Sequence, residues 1–373
     1  MELSTVEISK SALIHNIKTF RKLIGKDKVL AIAVKANAYG HGLVECSKIF
    51  LSAGADYLCV NAVFEAEELR KAGIKSPILI IGYTPISDLE KAVKLNCELT
   101  IYNEENLKKL EKIGKKCKIH LKIETGNHRQ GIRLEDLPQI SKNLKKSEKI
   151  QVAGISTHFA NLEDRINHQY ALYQLKQFKK AVRLIEEDGH APHYRHTAST
   201  AATILLPEAH FNFVRVGIGA YGLWPSEKTK KAAERAGIKM TLKPALTWKS
   251  IIAQVKEVKK GSLIGYGCTY KMPKNGRIVI IPVGYYDGYV RALSNRGQVL
   301  IRGKKVPVIG RVCMNLIMVD VTDIKDVKPE DEVVLIGKQK NGHITAEDIG
   351  EWSGTINYEV TTRIGERIPR IYI

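Results

Sequence analysis

A lysine closing an apolar run is the first residue whose setting could do chemistry. The stretch Ala31-Ile32-Ala33-Val34-Lys35-Ala36-Asn37-Ala38-Tyr39-Gly40-His41-Gly42 begins inside a run, Val29 to Val34, that reads as a fully buried strand. Two glycines then open a loop into a helical pattern starting at Leu43. An ammonium pointing inward from such a strand loses its hydration and is pushed toward the neutral form. Lys35 can therefore be read in two ways. It can snorkel to solvent as an ordinary barrel-end lysine, or it can be a desolvated amine of lowered pKa, suited to a Schiff base. Strand and lysine alone favour the first reading, and only other groups converging on the same place can reverse it.

Such groups end other apolar runs. Lys122 and Glu124 lead into Gly126-Asn127-His128-Arg129, and Thr157-His158 and His196-Thr197 close two later runs. Arg215 closes another and is followed by Val216-Gly217-Ile218-Gly219. Each alone is weak, since a strand-end histidine is more often a hydrogen-bonded structural residue. Together they want an anion, and they would depress the pKa of a lysine among them. Arg215 to Gly219 offers backbone amides without bulky neighbours, suiting a phosphate, although a simple barrel-closing turn explains it equally well. His196 through Thr200 adds hydroxyls at the start of a short helix, where the dipole favours phosphate. A phosphate near a strand-end lysine fits pyridoxal 5′-phosphate, whose aldehyde condenses with a lysine amine.

The elements that must position these residues alternate in type. Strand candidates at 29–35, 57–60, 78–81, 97–101, 118–123, 151–157, 193–197 and 213–216 are separated by helical patterns such as 43–53, 62–72, 87–95, 103–113 and 164–188. The last places Ala171, Leu175, Phe178, Val182 and Ile185 at three- and four-residue steps. Eight strands with helical crossovers predict an α/β fold, a (β/α)8 TIM-type barrel, with catalytic groups at the C-terminal strand ends. No Gly-x-Gly-x-x-Gly turn argues for an open dinucleotide-binding sheet instead. A charged, helical connector at 226–237 leads to β-rich runs at 245–258, 277–283, 297–301, 305–309, 316–321 and 332–336, then short helical signals at 345–352 and 354–360. The expected domains are a cofactor-binding barrel over 9–238 and a mostly β C-terminal domain over 239–373, with residues 1–8 open to pairing with the latter.

At 373 residues two domains are the default. The acidic start without an apolar core predicts no secretory signal, and no run is long enough to span a membrane. Six scattered cysteines, none paired at metal-ligand or redox spacing, fit reduced thiols in a cytoplasm and predict no metal. The net charge of +20 raises nucleic-acid binding, but Lys and Arg are spread along the chain, and the clusters at 115–116 and 142–149 lack interleaved aromatics. A solvated surface that favours small anions is the expectation.

Over essentially its full length the chain resembles the bacterial alanine racemases. The resemblance is carried by Ala-Val-Lys35-Ala-Asn-Ala-Tyr39-Gly-His-Gly, Lys122 through Arg129-Gln-Gly, Thr157-His158-Phe159, His196 through Thr200 and Arg215-Val-Gly217-Ile218-Gly. Further along come Gly265-Tyr266-Gly267, Pro282-Val-Gly-Tyr285-Tyr-Asp-Gly-Tyr, Arg311-Val-Cys313-Met314-Asn315 and Ile356-Asn357-Tyr358-Glu359-Val360. It implies a βα barrel followed by a β domain, pyridoxal 5′-phosphate as cofactor, and interconversion of L- and D-alanine by two bases. Lys35 would carry the cofactor and act on one face of the substrate, and Tyr266 on the other. Tyr39, Thr200, Gly217, Ile218 and Tyr358 would hold the phosphate. Arg215 would hydrogen-bond the pyridine nitrogen with His196 behind it, Arg129 would orient substrate and cofactor, and His158 would hydrogen-bond near Tyr266. Lys122 matches a lysine that is carbamylated in many members. Tyr266, Tyr285 and Met314 would come from the partner of a head-to-tail homodimer with shared sites, and the product would supply peptidoglycan.

The chemistry asks for these residue types. Racemisation removes the α-proton from one face and returns one to the other, so a base is needed on each side. A phenol near pKa 10 is a poor base at neutral pH unless cationic neighbours lower that value. Arginine cannot share its proton with the ring nitrogen as an aspartate would, which makes the cofactor a weaker electron sink. Taken without the resemblance, Tyr266 reads as a packed strand tyrosine and Tyr285 as an interface aromatic. One departure bears on substrate: Asn315 stands where alanine-specific members usually have aspartate, which raises tolerance of serine beside alanine. An amino-acid decarboxylase of the same architecture is the nearest rival, but its glycine-run phosphate loop and catalytic cysteine motif are not evident. A non-catalytic cofactor carrier is the second rival, and it leaves Tyr266 and Tyr358 without a purpose.

Overall fold

The computed structural model describes residues 2–163 and 167–373. Two compact units emerge, one of Ser11–Ala38 and Leu43–Pro244, the other of the segment ending at Lys10, Tyr39–Gly42 and Ala245–Ile373. Strands are numbered along the chain, and β1 (Ser4–Ile8) belongs to the second unit.

The first unit carries β2 (Val29–Ala33), β3 (Tyr57–Val60), β4 (Ile78–Ile80), β5 (Glu98–Ile101), β6 (Cys117–Lys122), β7 (Ile150–Ser156), β8 (Tyr194–His196) and β9 (Phe213–Val216). They form one sheet in the order β8-β7-β6-β5-β4-β3-β2-β9, with every pairing parallel. At the seam between β8 and β9 side chains and loop backbone replace the ladder. The Arg195 N–H donates to Asn212 Oδ1 and the Arg215 N–H to Ala198 O, each at 2.9 Å. This is the eight-stranded βα barrel expected from the alternation of runs. β3, β4, β5 and β9 are short and buried along their length, as a sheet covered by helices requires.

The crossover helices follow from the same patterning. Helix Gln169–Glu187 buries Ala171, Leu175, Phe178, Val182 and Ile185, the stripe that the spacing predicts. Full burial of such an aliphatic or aromatic side chain contributes roughly 1.5–3 kcal/mol. Positions 164–166, where the sequence places the start of this helix, lie outside the described residues. Helix Glu104–Ile113 is capped by Asn103 Oδ1, which accepts from Asn106 N–H at 2.9 Å, and ends on left-handed Gly114. The charged connector forms helix Glu227–Arg235.

One predicted strand is shorter than expected. The run 29–35 stops at Ala33, and Lys35 lies beyond it, at the head of a turn in which Ala36, Asn37, Ala38 and Tyr39 all have φ between 51 and 53°. The strand stops because its last carbonyl turns aside: Ala33 O accepts from the Tyr221 hydroxyl at 2.8 Å.

The second unit is mostly β. It contains β10 (Leu246–Ile251), β11 (Gln254–Val258), β12 (Leu263–Ile264), β13 (Tyr270–Lys271), β14 (Gly276–Ile281), β15 (Gln298–Ile301), β16 (Lys304–Ile309), β17 (Ile317–Asp320), β18 (Glu332–Gln339), β19 (Gly342–Ile344) and β20 (Arg370–Tyr372). The main sheet runs β11-β14-β17-β16-β15-β18-β10-β1-β20, with β12 and β13 as a separate hairpin. The run 245–258, expected to be continuous, breaks between β10 and β11. Ile252 N–H donates to Asp331 O and Ala253 N–H to Ile280 O, so the chain leaves β18 for a new partner, β14. β1 pairs antiparallel with β10 and parallel with β20. The helical signal at 354–360 begins only at Asn357, because Gly354, at φ 75°, closes the preceding helix Ala346–Ser353.

Candidate active site

The Lys35 turn is held from within the barrel unit by one carboxylate. Glu65 Oε1 accepts from the Ala36 N–H at 2.7 Å, while Oε2 accepts from the Asn61 N–H at 2.6 Å and the Ala62 N–H at 3.2 Å. Asn37 Oδ1 accepts from the Leu43 N–H at 2.8 Å and ties the turn to the following helix Leu43–Ser52. Four consecutive non-glycine residues in the left-handed region are strained, and strain of this kind persists only where the surroundings fix it. Burial lowers the Lys35 pKa from its ordinary value, the Arg129 guanidinium lowers it further, and Glu65 opposes them.

Around it the strand ends deliver cations. Lys122 ends β6, and burial holds its amine well below the ordinary lysine value, with Arg215 and Arg129 adding to the effect. Arg129 follows a turn capped by Glu124, whose Oε1 accepts from the Gly126 and Asn127 N–H groups. His158, just past β7, is kept neutral by burial and then by Lys122, Arg215, Arg129 and Lys35. Lys35, Lys122 and Arg129 make no side-chain hydrogen bond or ion pair among the described residues, and Arg215 meets no carboxylate there. Glu65 and Glu124 offset the positive charge only in part and without an ion pair, so the cluster is a donor set suited to anions.

Arg215, on β9, is fixed by its neighbours. Nη1 donates to His196 Nδ1 and to His196 O, the latter at 2.9 Å, and Nη2 donates to Thr157 O at 2.8 Å and Thr197 O at 3.2 Å. Four of the five guanidinium N–H groups are thus engaged, leaving Nε–H to offer. Burial lowers the Arg215 pKa to about 10, so it stays charged at neutral pH. Thr200 opens the short helix Thr200–Leu205, and its Oγ1 accepts from the Gly217 N–H at 2.9 Å and the Gly219 N–H at 3.5 Å. Ile218 is fully buried, so this turn presents backbone rather than side chain. A Cβ at Gly219 would come within 2.5 Å of Phe20 and 2.7 Å of Thr200.

The barrel unit therefore brings together Lys35, Lys122, Arg129, His158, His196, Thr200, Arg215, Gly217 and Ile218. Tyr39 and Tyr358 group in the second unit, with ring centroids 6.1 Å apart. Gly40, beside Tyr39, has φ 84°, and its carbonyl accepts from Arg370 Nε and Nη2. Tyr266, Tyr285 and Met314 lie elsewhere in the second unit, on the wall of a cavity of about 490 Å³ that Arg311 and Asn315 also line. Tyr266 sits on the turn between β12 and β13 and is 72% exposed. The loops beneath are joined by Tyr285 N–H to Cys313 O and Tyr286 N–H to Met314 O, each at 3.0 Å. Asn315 Nδ2 donates to Asp287 Oδ2 at 3.3 Å.

Neither Glu65 nor Asp287 is given a role by motif and spacing, although Asp287 falls within the motif that starts at Pro282. Glu65 carries a signal: an acid at the third position of a helix, where a capping carboxylate reaches back to free backbone amides. Asp287 accepts from the Gly284 N–H at 2.9 Å and shapes the turn below Tyr285, but nothing in its spacing marks it.

Comparison with known proteins agrees with both units. Residues 8–225 match the family described as alanine racemase, N-terminal domain, and residues 245–372 the alanine racemase, C-terminal domain. An alanine racemase of Desulforamulus reducens is 41% identical over 373 residues, covering 98% of each chain, and one of Methanococcus maripaludis is 42% identical over 377 residues with the same coverage. The structure of an alanine racemase from Bacillus anthracis, solved with bound L-Ala-P, superposes with a TM-score of 0.94 at 36% identity, covering 100% of this chain and 95% of that one. An alanine racemase from Streptomyces lavendulae gives a TM-score of 0.93 at 33% identity, covering 100% and 97%. Likeness of this extent, continuous through the barrel and the β domain in one order, means that the chain belongs to the alanine racemase family.

Proposed function

We propose that this chain interconverts L- and D-alanine with pyridoxal 5′-phosphate as cofactor, using Lys35 and Tyr266 as the two bases. The observation that carries the reading is the desolvated Lys35 amine beside Arg129, with Lys122 and Arg215 buried in the same barrel unit. None of the four is ion-paired to a carboxylate among the described residues, although Glu65 and Glu124 act on the two lysines from a distance. That set fits a phosphorylated cofactor and a substrate carboxylate. When bound, the cofactor supplies an electron sink that acidifies the α C–H of the amino acid. Thr200 and the backbone of Gly217 and Ile218 would hold the phosphate, and Tyr39 and Tyr358 are the further phosphate ligands that the family relationship implies. Arg215 would direct Nε–H at the ring nitrogen without surrendering a proton, which keeps the sink weak and limits side reactions.

A lysine of lowered pKa is neutral for a larger share of the time, so its Nζ can take a proton on one face and return it. The Tyr266 hydroxyl would do the same on the other face, with His158 nearby as a neutral hydrogen-bonding partner. Arg129 would orient the substrate carboxylate. The Lys122 amine is a nucleophile for carbon dioxide, and its carbamate would give Arg129 the anion it lacks. Tyr266, Tyr285 and Met314 are 72, 42 and 55% exposed in the single chain, which supports a homodimer whose partner subunit receives them at its own Lys35 face. No helix among the described residues is long and apolar enough to cross a membrane. We assign the enzyme to the cytoplasm, supplying D-alanine for peptidoglycan.

The test is to load the purified protein with cofactor, add L-alanine, and follow D-alanine beside Lys35→Ala and Tyr266→Phe. Racemisation at full rate is expected from the unaltered protein only, with the tyrosine variant down by roughly 10²–10⁴-fold, the usual contribution of a positioned acid–base group. Cofactor absorbance without D-alanine would instead favour a carrier. Carbon dioxide released from lysine, ornithine or diaminopimelate would favour a decarboxylase.

A further inference from the structure

The interior of a βα barrel is ordinarily packed with branched apolar side chains. Here it holds a string of buried polar groups of which only the last two, His196 and Arg215, have a part in the reaction above. Glu98 on β5, His120 on β6, His196 on β8 and Arg215 on β9 are all buried. Glu98 Oε2 lies 2.7 Å from His120 Nε2, His120 Nδ1 lies 2.7 Å from His196 Nε2, and His196 Nδ1 meets Arg215 Nη1. The Tyr57 hydroxyl donates to the other Glu98 oxygen at 3.2 Å. A buried polar string destabilises a core unless each member is satisfied, and both ring nitrogens of both histidines are.

The chain makes room for this string at β7. Ile119 pairs with Val152 but His120 pairs with Gly154, so β7 carries one extra residue opposite β6. A Cβ at Gly154 would stand 2.3 Å from His120 Nδ1. Bulge and glycine together accommodate the imidazole, which then stacks on Tyr194 with centroids 5.8 Å apart.

The string has one direction. Guanidinium can only donate, so His196 Nδ1 must offer a lone pair. Neutral His196 then carries its proton on Nε2 and donates to His120 Nδ1. His120 carries its own on Nε2 and donates to the Glu98 carboxylate. Burial, then Arg215, holds the His196 pKa well below its ordinary value, consistent with a neutral ring. Burial is the largest single influence on the Glu98 pKa and raises it, but the hydrogen bond and electrostatic pull of His120, with Lys118 and the Tyr57 hydroxyl, together lower it below the ordinary value, consistent with an ionised carboxyl.

We propose that Glu98 and His120 are positioning residues for Arg215, fixing through His196 the tautomer and orientation that leave Nε–H free to face the cofactor ring. The proposal rests on the reading of Arg215 as the partner of that ring, and it can be tested in part without it. In the cofactor-loaded enzyme labelled with ¹⁵N-histidine, His120 and His196 should both appear neutral and protonated on Nε2 at about pH 8. Glu98→Gln removes the charge at nearly constant shape, and Gly154→Ala displaces the His120 ring without touching the charged groups. Both should lower kcat about 10-fold or more, leave KM for alanine within about threefold, shift the absorbance of the bound cofactor and alter the His196 ¹⁵N signals. A His196 protonated on Nδ1, or on both nitrogens, in the unaltered enzyme would overturn the proposal. So would a Glu98→Gln enzyme whose kcat and His196 signals are unchanged. If the protein racemises nothing, the tautomers of the unaltered chain still decide the string, so the two failures are distinguishable.

Discussion

Asn315 places an uncharged amide on the wall of a cavity that Arg291 and Arg311 also line. Asn315 Nδ2 donates to Asp287 Oδ2, and Asp287 Oδ1 lies 3.3 Å from Arg367 Nη2. This leaves the Asn315 carbonyl as a neutral acceptor on the cavity wall shared with Tyr266 and Met314. A serine hydroxyl could use that acceptor and an alanine methyl could not. Asn315→Asp would set a second carboxylate against Asp287, and the two would repel. The expected result is a fall of about 10-fold in the ratio of serine to alanine kcat/KM, the scale at which a single polar contact discriminates. An unchanged ratio would remove Asn315 from substrate choice. At this scale the sequence is readable where polar residues interrupt the ends of apolar runs, as at Lys35, His158 and Arg215. It is not readable inside them. Glu98 and His120 are single polar residues in buried strands, and what gives them meaning is a neighbour 22 or 76 positions away in the chain.

At the scale of elements, the turn from Lys35 to Tyr39 shows how backbone conformation and chemistry are joined. Its left-handed residues are alanine, asparagine, alanine and tyrosine, none of them the glycine that would advertise such a turn. The sequence therefore reads as a strand continuing to Lys35. The break between β10 and β11 is hidden for a related reason, because the apolar run continues while the pairing partner changes. By contrast, the eight barrel strands and the helix Gln169–Glu187 are legible, since period and burial there are set by the same packing. The turn depends on Glu65, whose two oxygens accept three backbone N–H groups. Glu65→Gln keeps one acceptor oxygen and turns the other into a donor, so at least one of those amides loses its partner. These bonds are part-buried, so stability should fall by roughly 0.5–1.5 kcal/mol, the range for one intramolecular hydrogen bond. The urea midpoint measures it, and retained cofactor should fall with it. An unchanged midpoint would mean that the turn holds without this carboxylate.

At the scale of the whole molecule, the two bases of the proposed reaction belong to different units of the chain, Lys35 to the barrel and Tyr266 to the β unit. The exposed row of Tyr266, Tyr285, Met314 and Leu316 is more apolar than water favours, and a second copy is the partner that the family relationship makes natural. A twofold dimer uses the same patch on both subunits, so each shared site would take Lys35 from one chain and the partner subunit's Tyr266. That arrangement has an arithmetic consequence that a site within one chain lacks. Lys35→Ala and Tyr266→Phe should each be nearly inactive alone, because every site in either homodimer would lack one base. When the two are dissociated, mixed in equal amounts and reassociated, half of the dimers should be mixed. Each mixed dimer contains one site with neither base and one site with both, so the mixture should regain about a quarter of the unaltered activity. If Lys35 and Tyr266 of the same chain formed the site, every site would still lack a base and mixing would restore nothing. Recovery of D-alanine formation on mixing therefore assigns the second base to the partner subunit. A mixture that stays silent, although light scattering shows it has become dimeric again, confines both bases to one chain.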